Sequence, residues 1–227
     1  MKENINICYC INKNHVDLTL KSISYIRKFF KNQKYKLKFF ICSTDIFKLP
    51  NDLNYINIQS DLNIIHQHCM LPDFINVDRM IYLDSDTIAM TCISKLWEID
   101  IGNKIIGAAT LKPIPTFGKL VHKFSFNFKP FIDYKEKPYY NTGVMLIDCK
   151  KWKQNDITNI NLKNLQLYQH TKHKERCEPS INVTLVNNIF TIDGRWNHCP
   201  VDKFKKVYIS HFYNHYSNLK KQHNLYH

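Results

Sequence analysis

An α/β domain with a mixed, mostly parallel central sheet is the fold this sequence predicts, on three observations. Short apolar runs recur along the whole chain, each closed by polar or turn-forming residues. The first two flank a stretch with helical spacing, a strand–helix–strand order that requires a parallel crossover. No Pro/Gly/Ser-rich or charged linker interrupts the 227 residues, so residues 1–227 are expected to form a single domain, long enough to bury a sizeable core.

The elements follow in order. Residues 5–11 read as a buried strand closed by Asn-Lys-Asn. Val16, Leu20, Ile23 and Phe30 then recur at helical spacing, one face of a helix. Residues 37–42 form a second strand, Leu49-Pro50-Asn51-Asp52 a turn, and residues 55–58 a short strand. A poorly periodic segment with His66 and His68 leads to Met80-Ile81-Tyr82-Leu83, a strand that stops at Asp84-Ser85-Asp86. Residues 105–110 and 144–147 are further strands, and residues 112–137, carrying Pro113, Pro115 and Pro130, read as an irregular excursion. Residues 179–186 form a helix with Pro179 in its first turn, and residues 207–210 a last strand. Such a sheet places its ligands at the carboxyl ends of its strands.

Composition narrows the class. Hydrophobic residues make up 44% and Gly and Pro only 5 and 8, which excludes a disordered or collagen-like chain. No apolar run approaches the roughly 18 residues of a membrane span. The N-terminal Met-Lys-Glu-Asn-Ile-Asn lacks the apolar stretch and cleavage site of a secretory signal, so a soluble cytoplasmic protein is expected. The 8 cysteines are scattered without a CxxC pair, and neither a structural zinc nor a disulfide framework is expected. The balance of 32 Lys+Arg against 19 Asp+Glu, net +13, suits phosphate-bearing ligands. No groove-reading or base-stacking motif accompanies it, so nucleic acid is not an expected partner.

The chemistry concentrates at Asp84 and Asp86. Two carboxylates at positions i and i+2 after a strand project to one side in an extended chain and offer hard oxygen ligands to Mn²⁺ or Mg²⁺. The alternative is a polar turn with two solvated acids, and the strand Met80-Ile81-Tyr82-Leu83 before the pair favours a site at the mouth of a sheet.

Arg79-Met80-Ile81-Tyr82-Leu83-Asp84-Ser85-Asp86-Thr87 resembles the metal-binding motif of retaining glycosyltransferase family 8, which includes glycogenin and bacterial galactosyltransferases. Further stretches match in order. Residues 7–11, with Cys10, Asn12 and His15, resemble the first strand and uracil-binding loop, followed by a helix containing Ser22. Tyr139-Tyr140-Asn141-Thr142-Gly143-Val144 is similar to the family's aromatic-Asn-small-Gly-Val strand, and Cys177-Glu178-Pro179-Ser180-Ile181-Asn182 to its DQ-x-x-x-N helix start. Arg195-Trp196-Asn197 and Ser210-His211-Phe212 complete the series, which spans roughly residues 5–215.

The resemblance implies a Rossmann-like nucleotide-diphosphosugar transferase fold and transfer of a hexose, glucose or galactose, from a UDP-sugar. Asp84, Asp86 and His211 would hold Mn²⁺, with Mg²⁺ as the alternative ion, and Ser85 would line the donor between the two acids. Cys10, Asn12 and His15 would contact the nucleotide, and Asn141 the sugar hydroxyls. Glu178 would lie beneath the anomeric carbon, stabilising oxocarbenium character or acting as a transient nucleophile. The acceptor would be a glycan or a protein, with the terminal Tyr213, Tyr216 and Tyr226 as candidate self-acceptors, and a homodimer is left open. Taken singly, His211 reads equally as a satisfied core histidine, Glu178 as an acid at a helix start, Asn141 with Gly143 as turn chemistry, and His15, His66 and His68 as ordinary histidines.

Three departures stand out. The family's His-x-x-Gly-x-x-Lys-Pro-Trp ending here reads His211-Phe212-Tyr213-Asn214-His215-Tyr216-Ser217-Asn218-Leu219, so grip on the diphosphate would pass to Lys220 or Lys221. The DQ motif reads Cys177-Glu178, and the Arg expected before the metal strand falls near His68. These changes leave open a second reading, a catalytically weakened or inactive member that binds nucleotide or glycan.

Overall fold

The computed structural model describes residues 2–59, 67–110, 115–124, 129–168, 177–198 and 205–212. Its centre is a seven-stranded sheet in the order β3-β2-β1-β4-β7-β6-β8. β1 (Glu3–Cys10), β2 (Tyr35–Ser43), β3 (Asn54–Asn57) and β4 (Arg79–Leu83) run parallel to one another. β6 (Ile106–Thr110) and β8 (Ile189–Thr191) also pair in parallel, while β7 (Tyr140–Asp148) runs antiparallel to both β4 and β6. The mixed, mostly parallel sheet is as expected.

The continuous apolar runs have a simple cause. Successive side chains of a strand point to opposite faces, and here both faces are covered. Ile5, Ile7 and Tyr9 join Ile81, Leu83, Val144 and Leu146 in one core, into which α1 (Val16–Phe29) inserts Ile23 and Ile26. The residues between them, Cys8, Met80, Tyr82, Met145 and Ile147, join a second core with Trp152 and Ile157 of α6 (Cys149–Gln154) and α7 (Ile157–Tyr168). Trp97, Trp152 and Trp196 are all buried. Ser22 is fully buried against the Tyr9 hydroxyl at 2.8 Å, tying α1 to β1.

The excursion expected over residues 112–137 is more ordered than the prolines suggested. Within it lie α4 (Phe117–Phe124) and α5 (Lys129–Asp133), where Pro130 occupies a first-turn position that needs no backbone donor. Phe117, Phe131 and Tyr139 pack into a small core of their own, which outweighs the weak local propensity. Two further short helices, α2 (Leu71–Phe74) and α3 (Ser94–Trp97), precede that region. No helix among the described residues is long and apolar enough to cross a membrane.

A second, two-stranded sheet was not foreseen. β5 (Thr87–Ala89), directly after the Asp84-Ser85-Asp86 turn, pairs antiparallel with β9 (Ile209–His211), placing Thr87 opposite His211. On its other side β9 meets the segment after the single turn Gly194–Asn197, through His198 N–H to Ile209 O and His211 N–H to His198 O, both 2.9 Å. The last strand expected over residues 207–210 is found as β9, whereas β5 was too short for pattern reading and its pairing with β9 could not be read from either run. Together they bring His211 to the Asp84-Ser85-Asp86 turn.

Candidate active site

The site lies at the carboxyl ends of β1 and β4, where antiparallel β7 begins. Asp84 and Asp86 are in a turn rather than in extended chain, which corrects the alternation argument. The Asp84 carbonyl accepts from the Thr87 N–H at 3.2 Å and the Thr87 hydroxyl at 2.8 Å, folding the segment back so that both carboxylates meet one imidazole. His211 Nε2 stands 3.1 Å from Asp86 Oδ1 and 3.4 Å from Asp84 Oδ2. One ligand atom from each of the three lies within 4.8 Å of the others. The imidazole is 3% exposed and the Asp86 side chain 14%, whereas the Asp84 side chain is 39% exposed and forms a solvent-facing rim over a buried base.

Electrostatics lock this arrangement. Burial pulls the His211 imidazole down, but Asp84 and Asp86 outweigh it and push it up to about 10. Burial likewise pushes the Asp84 carboxyl up, yet His211 and the Tyr82 hydroxyl outweigh it and hold it at about 2. The protonated imidazole is therefore the favoured form between the two acids. A histidine held above its ordinary 6.5 stabilises the fold fully below about pH 6.5, and that contribution is lost as pH rises through about 10. Asp84, held below 3.8, stabilises above that value and loses its contribution only as pH falls through about 2. The melting temperature of chelator-treated protein is accordingly expected to fall as pH climbs from about 6.5 towards 10, and His211→Asn to flatten that fall. Thermal unfolding across this range, read by circular dichroism, checks it.

Gly143 makes the close approach possible. A Cβ at this position would overlap the His211 ring and lie 2.6 Å from Asp84 Oδ2. The register between β6 and β7 jumps from Ala108↔Met145 to Ala109↔Asn141, so residues 142–144 bulge out of that pairing. On the other edge the Gly143 carbonyl accepts from the Asp84 N–H at 2.8 Å.

A chain of hydrogen bonds leaves the triad inward. His211 Nδ1–H donates to Asn197 Oδ1 at 2.9 Å, and Asn197 Nδ2 donates to Asn141 Oδ1 at 2.6 Å. Asn141 Oδ1 also accepts from the Gly143 N–H at 3.0 Å, and Asn141 Nδ2 donates to Glu178 Oε2 at 2.9 Å. Three residues on three separated segments, His211, Asn197 and Asn141, thus connect the carboxylates of Asp84 and Asp86 to Glu178. Asn197 had been quoted only as part of a motif, and its place in this chain is a tertiary fact. Glu178 stands in the first turn of α8 (Cys177–Thr184). That helix is clamped to β7 by Asn182, whose side chain accepts from the Tyr140 N–H and donates to the Tyr140 carbonyl, both at 2.8 Å. Asn182 is fully buried.

The remaining predicted residues fall as follows. Cys10 ends β1, with burial pushing its thiol well up and Asp84 among the charges beside it. Ser85 is half-buried in the turn between the acids. Asn12 accepts from the Asn14 N–H at 3.0 Å, capping a single turn, Lys13–His15, that leads into α1, and His15 closes that turn. Lys220, Lys221, His66, Tyr213, Tyr216 and Tyr226 lie outside the described residues. His68 is not an ordinary surface histidine: it is buried, stacked on Tyr82 and in contact with Cys177.

Comparison with known proteins agrees with this fold. The pattern of glycosyl transferase family 8 matches residues 8–224. An Arabidopsis thaliana relative named "Probable galacturonosyltransferase-like 6" is 34% identical over 133 residues, covering 53% of this chain and 36% of its own length. The chain spans less than half the length of the curated relatives it matches first. Among solved structures, galactosyltransferase LgtC in complex with donor and acceptor sugar analogues aligns with a TM-score of 0.75 at 16% identity, over 92% of this chain and 87% of LgtC. Mouse xyloside xylosyltransferase 1 aligns at 0.62 and 13% identity, over 93% and 97%. At these identities the structural likeness establishes the fold.

Proposed function

Since the chain belongs to glycosyl transferase family 8, we propose that it transfers a hexose, glucose or galactose, from a UDP-sugar to a glycan or protein acceptor with retention of anomeric configuration. The observation that carries this reading is the Asp84–Asp86–His211 cluster joined by hydrogen bonds through Asn197 and Asn141 to the Glu178 carboxylate.

The cluster suits a divalent ion. Two carboxylates and an imidazole within 4.8 Å form a mixed oxygen–nitrogen donor set that favours Mn²⁺ over Mg²⁺, and the missing Cβ of Gly143 leaves it room. A bound ion there supplies Lewis-acid neutralisation of the charge that builds on the departing diphosphate. Asn197 fixes the His211 tautomer by accepting from Nδ1–H, which leaves Nε2 directed at the two acids. Asn141 orients Glu178 and stands between it and the cluster, where its amide reaches sugar hydroxyls. The Glu178 carboxylate faces the anomeric carbon, stabilising positive charge there or attacking it, and both routes retain configuration. Cys10, Asn12 and His15 contact the nucleotide, and Lys220 the diphosphate. All of this is assigned to one domain over residues 1–227.

A panel of UDP-, GDP- and ADP-sugars with Mn²⁺ or Mg²⁺, read by nucleotide release and by the anomeric configuration of the product, tests the proposal. UDP release from one hexose donor with a retained anomer is the expected result. UDP binding without release from any donor would transfer support to the inactive, ligand-binding reading, and an inverted product would overturn the mechanism.

A further inference from the structure

Beneath the proposed donor site lies a second cluster with a different donor chemistry. Cys177 Sγ stands 2.7 Å from His68 Nε2 and 3.1 Å from His68 Nδ1, although 109 residues separate them in sequence. Cys69 completes the group: a thiol from each cysteine and a ring nitrogen lie within 4.8 Å of one another. Cys69 and Cys177 are each 1% exposed and His68 is 9% exposed. Cys177 is one departure from the family pattern and His68 lies near another, and the fold brings the two residues into contact.

We propose that His68, Cys69 and Cys177 form a binding site for a thiophilic divalent cation, Zn²⁺ in the first instance, distinct from the Asp84–Asp86–His211 cluster. Two thiolates and an imidazole select a softer ion than two carboxylates do, so the two clusters sort cations by hardness. Binding is a proton exchange: Zn²⁺ enters, the imidazole nitrogen donates its lone pair, and the two thiol protons leave to solvent. The loaded site then carries two thiolate charges against a double positive charge and is neutral, as a buried position requires. Three protein ligands leave one coordination position to spare.

The cluster touches both halves of the proposed site. Cys177 opens α8 one residue before Glu178. His68 stacks on Tyr82 with ring centroids 5.2 Å apart, and the Tyr82 hydroxyl donates to Asp84 Oδ1 at 2.6 Å. An ion here pins the start of α8 to the segment before β4, holding Glu178 and Asp84 at a fixed spacing.

Co²⁺ in excess Mg²⁺ tests this on the reduced full-length chain, because thiolate-to-cobalt charge-transfer absorption reports sulfur ligands and is blind to a carboxylate site. One Co²⁺ per chain with that absorption, displaced by Zn²⁺, is expected. Cys69→Ser and Cys177→Ser are each expected to abolish it, and Asp86→Ala and Cys42→Ser, in β2 with its thiol 3.8 Å from Cys8 Sγ and outside this cluster, to leave it intact. Absence of the band in the wild type, or its survival in both Cys69→Ser and Cys177→Ser, overturns the proposal. Far-ultraviolet circular dichroism of each variant separates loss of ligands from loss of fold, and His68→Ala, which keeps both thiols, gives an independent arm: its Zn²⁺ affinity falls if the imidazole ligates and is unchanged if it does not. None of these readouts depends on sugar transfer.

Discussion

Asp86→Ala is expected to lower Mn²⁺-dependent UDP release by about 10³-fold, roughly 4 kcal/mol of lost transition-state stabilisation, and Asp84→Ala by at least as much. The acids differ in what else they hold. Asp84 accepts from Tyr82 as well as facing His211, and its side chain forms the more exposed part of the rim. Asp86 faces His211 at 3.1 Å with only 14% of its side chain open, and its backbone carbonyl accepts from the Phe212 N–H at 3.1 Å, a bond that alanine preserves. Asp86→Ala thus removes a ligand while keeping the turn, and is the cleaner of the two. Steady-state UDP release over a Mn²⁺ titration measures the loss. Unchanged turnover in both variants would remove the cluster from the mechanism.

The second large effect is expected from a residue without a side chain. Gly143→Ala places a methyl group into the His211 ring and 2.6 Å from Asp84 Oδ2. The backbone has little freedom to retreat, because its carbonyl is bonded to the Asp84 N–H and its own N–H to Asn141 Oδ1. The methyl group must therefore displace the imidazole, the carboxylate or the bulge itself. Divalent-ion binding is expected to be lost, turnover to fall by about 10²-fold or more, and the melting temperature to drop by several degrees. Calorimetric Mn²⁺ titration together with thermal unfolding checks this. Wild-type Mn²⁺ affinity in Gly143→Ala would show that the ion binds elsewhere.

Much of the site was legible as pattern. Asp84 and Asp86 were named from a short motif, and Asn141, Glu178 and His211 from the family resemblance; the structure brings all five together at the carboxyl ends of the central strands. What the pattern misjudged has physical causes. The two acids converge through a Thr87-capped turn rather than through strand alternation, because a strand's parity ends where its ladder ends. Gly143 with Asn141 read as turn chemistry, yet its service is to make space for an imidazole that arrives from a segment 68 residues later. Asn197 carried no sign of its role, since an amide that links a histidine to another amide is defined only by its partners. His68 looked ordinary because neither Cys177 nor Tyr82 is near it in sequence.

Beyond the family resemblance that named His211, the sequence by itself indicated the class of the fold, six of the seven strands of the central sheet through its apolar runs, and the pair of acids. Those features are local: period, run length and motif spacing are properties of neighbouring residues. Only the tertiary structure decided that β5 and β9 pair, that Gly143 in the register shift of β7 leaves space for the His211 ring, and that His68, Cys69 and Cys177 meet in the buried interior. Each of these depends on contacts between residues far apart along the chain, whose free energy comes from closing the two cores rather than from any local preference.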